Sequence, residues 1–426
     1  MTLQMRLLAL LPMLALPACT GAGAGGSTPG RWEAVVDTLG DTIVVRTLAG
    51  SEWPDTATLV PELSIGVFDG AEEEMFGNVR AIAVAPDGEI FVLDRHVPTV
   101  RRFGPDGTYR GSIGREGGGP GELRRPEAMA LLPDGRLLVR DPGNARINVY
   151  DRDGGLLPSW RLPSGGGFST DRPISVDTAG NSYTSVLLRQ GDVTEWRWGL
   201  AHFAPDGSHA DTLPAPTWDY TPPTLVARRE GSTSSTNVPF SPQVSWTFSP
   251  HGYFVAGIST DYRIDLFRTG AAVLRIERVW TPVPVQPQEK AEQEHRIIEN
   301  FKRNFGSWKW NGPPIPGAKP PFGAILVGDD GRIWVQVSQP GYEWRTEAEA
   351  REEEARTGNP QTRFRERIVY DVFEPDGRYL GSVRAPDEFR TSPYPVFRGD
   401  LVWNVTRDDL DVQRVVRYRI AVPPSP

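Results

Sequence analysis

Residues 81–114 read AIAVAPDGEIFVLDRHVPTVRRFGPDGTYRGSIG, and residues 128–160 read AMALLPDGRLLVRDPGNARINVYDRDGGLLPSW. The two stretches superpose without a gap: Pro86 falls on Pro133, Asp94 on Asp141 and Asp106-Gly107 on Asp153-Gly154, each 47 positions on. A fixed period of ~40–50 residues is the length of one blade in a radial, repeat-built β fold. Within each copy, short runs with partly alternating apolar residues are broken by Pro-Asp-Gly or Asp-Gly, which turn the chain at low steric cost. The unit reads as four short antiparallel strands.

This order, an inner strand, a Pro-Asp-Gly turn, a strand ending in Asp, a short loop, Arg among apolar residues and a second Asp-Gly turn, resembles the NHL-type six-bladed β-propellers. Residues 114–123 (GREGGGPGEL) are similar to the Gly-Pro-Gly-Glu connector of a large group of bacterial six-bladed propeller lipoproteins. The resemblance covers residues 60–160 and fades afterwards. It implies an all-β fold of four-stranded antiparallel blades far more firmly than it implies an activity.

Ring closure follows from a second match. Ser64-Ile65-Gly66 parallels Ser112-Ile113-Gly114, which closes a blade, yet no complete blade precedes it. An N-terminal strand that completes the last blade resolves this and leaves no open sheet edge. Four further blades then start near Ile174, Trp246, Gly323 and Val396, and the last lacks its outer strand. Six units of 47 residues occupy about 280. The surplus forms an N-terminal hairpin over residues 32–48 and insertions at 214–242, 281–321 and 339–366, within one domain of residues 32–426. The first insertion, rich in Pro, Thr and Ser, is expected to be an irregular loop. The second is expected to hold a helix over residues 288–304, and it contains all four lysines of the chain (Lys290, Lys302, Lys309, Lys319). The third carries TEAEAREEEAR (346–356), the pattern of a solvated helical arm.

Residues 1–18 are a targeting segment: Arg6 precedes an apolar run that is shorter than the roughly 20 residues a spanning helix needs. Leu16-Pro17-Ala18-Cys19 resembles a lipobox, and Cys19, the only cysteine in 426 residues, stands where a lipid would be attached. Ordinary secretion, with cleavage after Ala24, is the alternative, since Pro17 is unusual in a lipobox. Either route predicts a mature protein outside the cytoplasm, with no disulfide and with residues 19–31 as a flexible tether. A net charge of -8 argues against nucleic acid as a partner.

The chemistry-bearing residues form no familiar motif. The five histidines are scattered, without an H-E-x-x-H or the zinc set of the amidating lyases, which are NHL-type propellers. No G-x-S-x-G elbow occurs, and no catalytic residue is assigned. No cofactor is predicted. Gluconolactonase-like propellers hold calcium in the channel, and Glu127, Asn144 and Asp261 are the candidates for such a site in a metal-dependent hydrolase. Asp94 and Asp141 recur at equivalent places and are expected to cap the turns they begin. Arg398-Gly399-Asp400 spells an adhesion tripeptide but falls at a strand turn.

Connectivity predicts where binding takes place. The Pro-Asp-Gly turns at Pro86, Pro133, Pro205 and Pro375 lie at one end of the ring, and all three insertions rise from the other. Long loops on a rigid scaffold collect binding residues. Arg80, Arg95, His96, Glu127, Asn144, Arg172 and Asp261 share that rim, a mixed polar set suited to an anionic or sugar-like ligand. The expected role is a ligand-binding or protein-interaction module of the cell envelope, membrane-bound only through its lipid. The alternatives are the lactonase-type hydrolase and a structural envelope protein.

Overall fold

The computed structural model describes residues 31–167, 172–189, 196–408 and 410–424. The targeting segment, Cys19 and the tether lie outside the described residues. The structure is nearly all β, with two α-helices among the described residues, α1 (Pro287–Phe305) and α2 (Glu347–Thr357).

The repeat builds its turns as the sequence dictates. At Pro86-Asp87-Gly88 the Asp87 carboxylate accepts the Glu89 N–H (3.2 Å), and Gly88 takes φ +88°. At Pro133-Asp134-Gly135 the Arg136 N–H reaches Asp134 at 3.1 Å, and Gly135 also has φ +88°. Proline presets the first turn residue, aspartate satisfies a backbone donor, and only glycine occupies that positive φ without strain.

Strands separated by these turns pair antiparallel in chain order. The first sheet comprises Val79–Val84, Ile90–Asp94, Thr99–Phe103 and Tyr109–Ile113. The second comprises Ala128–Leu131, Leu137–Asp141, Arg146–Tyr150 and Leu156–Arg161, and the third runs from Ser175–Val176 to His209–Pro214. A fourth set begins at Val244–Phe248 and ends at Val273–Arg278. The N-terminal hairpin, Glu33–Leu39 with Thr42–Ala49, extends this sheet through a parallel pairing of Thr42–Ala49 with Val273–Arg278. The fifth set begins at Phe322–Val327 and ends at Tyr379–Arg384. Val396–Arg398, Leu401–Arg407 and Gln413–Ala421 follow, and Ala57–Ile65 lies antiparallel to Gln413–Ala421. Thr58 faces Ala421 and Ile65 faces Val415, so chain start and chain end share one sheet.

Alternation sends the two faces of each strand into different cores. In Ile90–Asp94, Ile90 and Val92 join a cluster with Phe76 of the preceding link and with Ile65, Trp403, Val405 and Val415 from the last sheet. Phe91 and Leu93 pack instead on Leu123, Met129, Leu137, Val139 and Tyr150 of the second sheet and its connector. Ala128, Leu138, Trp160, Val186 and Phe203 join the second sheet to the third, and Tyr183, Leu200, Trp246 and Phe248 join the third to the fourth. Two more clusters join the fourth to the fifth and the fifth to the last. Strands buried on both faces place nearly every side chain in a core, each large apolar one contributing roughly 1.5–3 kcal/mol.

Asp94 caps its own turn and does more, whereas Asp141 accepts no backbone N–H of the turn it begins. The sealed Asp94 carboxylate accepts the N–H groups of Gly77 (2.8 Å), Asn78 (2.9 Å) and His96 (2.8 Å). Asp141 likewise accepts those of Arg124 (3.0 Å) and Arg125 (2.8 Å). Each aspartate thus fixes the link that enters its inner strand. Ser259 repeats the arrangement by accepting the Gln243 N–H at 2.9 Å.

Candidate functional site: the insertion face

The three insertions fold against one another. Residues 214–242 are not an irregular loop: Thr224–Arg229 and Ser232–Asn237 form a hairpin turned by Glu230 (φ 42°) and Gly231 (φ 79°). Its serines and threonines hide the strand pattern, because only Leu225, Ala227 and Val238 in and just after it enter the core. They pack on Ile297 and Phe301, one turn apart on α1, and on Trp308 and Ile315 beyond it. α2 behaves as a solvated arm, with Ala350 its one buried residue, and it stands on the short pairing of Gly341–Glu343 with Phe364–Glu366.

Lys319 joins the three. Its Nζ donates to Glu289 Oε1 of α1 (2.7 Å) and to the Gln339 carbonyl (3.0 Å), lies 3.0 Å from Glu366 Oε1, and sits 5.0 Å from the Phe240 ring centre. The Lys319 side chain is fully sealed and that of Glu289 nearly so. Lysine is buried in this way only when its charge is matched. The second carboxylate oxygen of Glu289 accepts the Gln286 N–H at the start of α1 (3.1 Å), and that of Glu366 accepts the Gln339 N–H (2.7 Å). Glu292 adds a further tie by taking the Arg363 guanidinium at 2.7 Å.

Two cavities flank this junction. One, of about 680 Å³, is walled by Tyr262, Trp280 and the prolines 242, 282, 316, 320 and 321, with Arg46, Arg263, Asp261 and Glu277 among its charged residues. The other, of about 420 Å³, lies between α1 and the fifth sheet and is lined by Phe240, Phe364, Arg365, Gln336 and three glutamates, Glu289, Glu292 and Glu366. A third cavity, of about 530 Å³, lies at the opposite, Pro-Asp-Gly end. Residues from the first strand of every set line it: Val84, Met129, Val176, Phe248, Val327 and Val396.

The rim residues expected from connectivity have different surroundings. Asp261 lines the 680 Å³ cavity. Glu127 is buried, with its carboxylate 2.7 Å from Arg140 and 3.6 Å from Arg125. Asn144 spends its amide nitrogen on the Gly117 carbonyl and on Asp141, and so braces the glycine-rich connector. Arg172 lays its guanidinium 3.6 Å over the Trp246 ring. Arg80 is the extra residue of a bulge between Val79 and Ala81, Arg95 is half-buried, and His96 is exposed beside Gly77. Among the described residues no three His, Cys, Asp or Glu side chains gather as a metal set. The Lys319 junction was missed from sequence. The only signal for it was the confinement of all lysines to one insertion.

No protein-family model and no curated protein matches the chain. Solved structures do. A member of the DUF4221 family from Bacteroides vulgatus superposes with a TM-score of 0.52 at 11% identity, covering 87% of this chain and 99% of that chain. The fold is a β-propeller. A Bacteroides fragilis protein described as exported (TM-score 0.44, 11% identity, 89% and 99% covered) and a gluconolactonase from Xanthomonas campestris (0.38, 12%, 85% and 97%) are more distant. Identities this low speak to the propeller fold alone. Among the described residues no helix is long and apolar enough to cross a membrane.

Proposed function

We propose that this propeller has six four-stranded blades, the last completed by Ala57–Ile65, and that it is exported, lipid-anchored through Cys19, and serves as a ligand-binding or interaction module of the cell envelope. The cyclic order of the inter-sheet cores supports the blade count, as does a channel cavity lined by six first strands. The lipobox-like Leu16-Pro17-Ala18-Cys19 supports the anchor.

The observation that carries the binding reading is the Lys319 junction. It turns three long insertions into one fixed cap with cavities on either side. A pre-formed, aromatic-walled cavity of ligand size with a few charged groups is the usual form of a small-molecule site. The half-buried Trp280 offers a face for a sugar ring, and Arg46 and Arg263 offer charge for an anionic group. A calcium-dependent lactonase is the weaker reading, because Glu127 is turned to Arg140 and Asn144 is tied to the glycine-rich connector and to Asp141.

A thermal-melt screen of mono- and oligosaccharides, organic anions and calcium tests the proposal. A ligand at 100 times its Kd adds about 2.7 kcal/mol to folding, an easily read shift. A sugar or anion that raises the melting temperature is expected. Stabilisation by calcium alone would favour the hydrolase.

A further inference from the structure

The channel cavity at the Pro-Asp-Gly end has the features of a ligand site in its own right. Its wall is largely apolar, with Ile82, Met129, Leu131, Val176, Phe248 and Val396 among the lining residues. The charged side chains that line it are Asp177, Asp329 and Arg398, two carboxylates against one guanidinium. Asp177 is fully engaged: its oxygens accept the N–H groups of Ala179 and Asn181, the Asn181 amide and the Tyr183 hydroxyl. Arg398 is engaged with protein acceptors, donating to the carbonyls of Val84 (2.6 Å) and Ala85 (2.7 Å) and to Asp329 Oδ2 (2.5 Å). Asp329 Oδ1, in contrast, accepts no hydrogen bond from the described residues, and the Asp329 side chain is half exposed (52%). Protein atoms crowd the carboxylate, and this desolvation raises its pKa above the ordinary value despite Arg398.

We propose that this end of the channel is a second binding site, for a primary amine carrying an apolar body, with Asp329 Oδ1 receiving the ammonium and the inner-strand side chains enclosing the hydrocarbon. A carboxylate whose Oδ2 is held by Arg398 gains most at Oδ1 from a donor that brings positive charge. A volume of about 530 Å³ suits a small ligand. A carboxylate ligand would meet the net negative charge of the lining, and a neutral alcohol would forgo the charge.

Titration calorimetry with n-hexylammonium, n-hexanol and hexanoate tests this on the mature protein. A charge-assisted hydrogen bond corresponds to roughly a 10- to 100-fold gain in affinity, so hexylammonium is expected to bind that much more tightly than hexanol. Asp329→Asn should erase the difference while keeping a native melt. Ala130→Phe, which fills the cavity from another strand, should weaken all three. Hexanoate binding as well as the amine, an amine affinity unchanged in Asp329→Asn, or no binding of the amine at millimolar concentration would each overturn the assignment.

Discussion

Lys319 Nζ lies 2.7 Å from Glu289 Oε1, a charge pair shut away from water at the point where three separate insertions meet. Removing only the cation leaves Glu289 buried and Glu366 half-buried beside it without a counter-charge. Breaking a buried pair this way costs about 3–5 kcal/mol. Lys319→Met should therefore loosen the cap, with faster hydrogen exchange across α1 and the stem of α2 while the inner strands keep their protection. Adding Glu289→Gln should restore part of the loss, as a double-mutant cycle would read. Unchanged exchange in Lys319→Met would mean that the insertions hold their places independently.

Asp371 is the corresponding tie inside the ring. Wholly buried, it accepts the hydroxyls of Tyr262, Tyr379 and Ser382, each at 2.8 Å, and meets Arg278 at 2.5 Å. Burial, together with the Asp371 charge, pushes Tyr262 well above its ordinary pKa. Asp371→Ala strands Arg278 and should cost about 3–5 kcal/mol in urea unfolding. Asp371→Asn should cost clearly less, because its oxygen still accepts. Equal losses from the two would show that charge rather than hydrogen bonding holds these sheets together.

Much of this architecture is legible in the sequence. Its strongest signals are Pro-Asp-Gly turns and period-two runs, which act within a few residues, and their recurrence at a 47-residue offset. The helix over 288–304 and the charged arm over 346–356 were readable as well, and they form as α1 and α2. What stayed hidden is non-local or polar. Nothing near Thr42–Ala49 announces a parallel partner at Val273–Arg278, about 230 residues away. The hairpin at Thr224–Arg229 carries too few apolar residues to stand out. The rim residues share a face by connectivity, but connectivity does not say that Glu127 and Asn144 have internal partners.

Asp329 makes a prediction about pH. Its folded pKa is raised by desolvation and by neighbouring Asp330, with Arg398 opposing. The ionised form is thus less welcome in the folded state than in the unfolded one. Its stabilising contribution is present below the ordinary value of 3.8 and lost as pH rises through the folded pKa. Asp329→Asn should match or slightly exceed the native protein in melting temperature at pH 7, by under about 1 kcal/mol since water reaches the mouth, and the gap should close toward pH 3. A variant clearly less stable at pH 7 would show that attraction to Arg398 outweighs desolvation.

Ring closure depends on Ala57–Ile65 beside Gln413–Ala421. A chain beginning at residue 66 would expose the edge of Gln413–Ala421, and unpaired edges recruit other chains. Aggregation in size-exclusion chromatography is expected. A monodisperse product with the native melt would mean that the last blade is complete without this strand.

Hydrogen exchange with a sugar or anion found by the melt screen tests most directly the proposal that the insertion face binds the ligand. Slowed exchange is expected in residues 259–263 and 316–321, around Tyr262, Trp280 and the Lys319 junction, with the turns at Pro86, Pro133, Pro205 and Pro375 unaffected. Protection confined to those turns, with the three insertions exchanging as before, would contradict it.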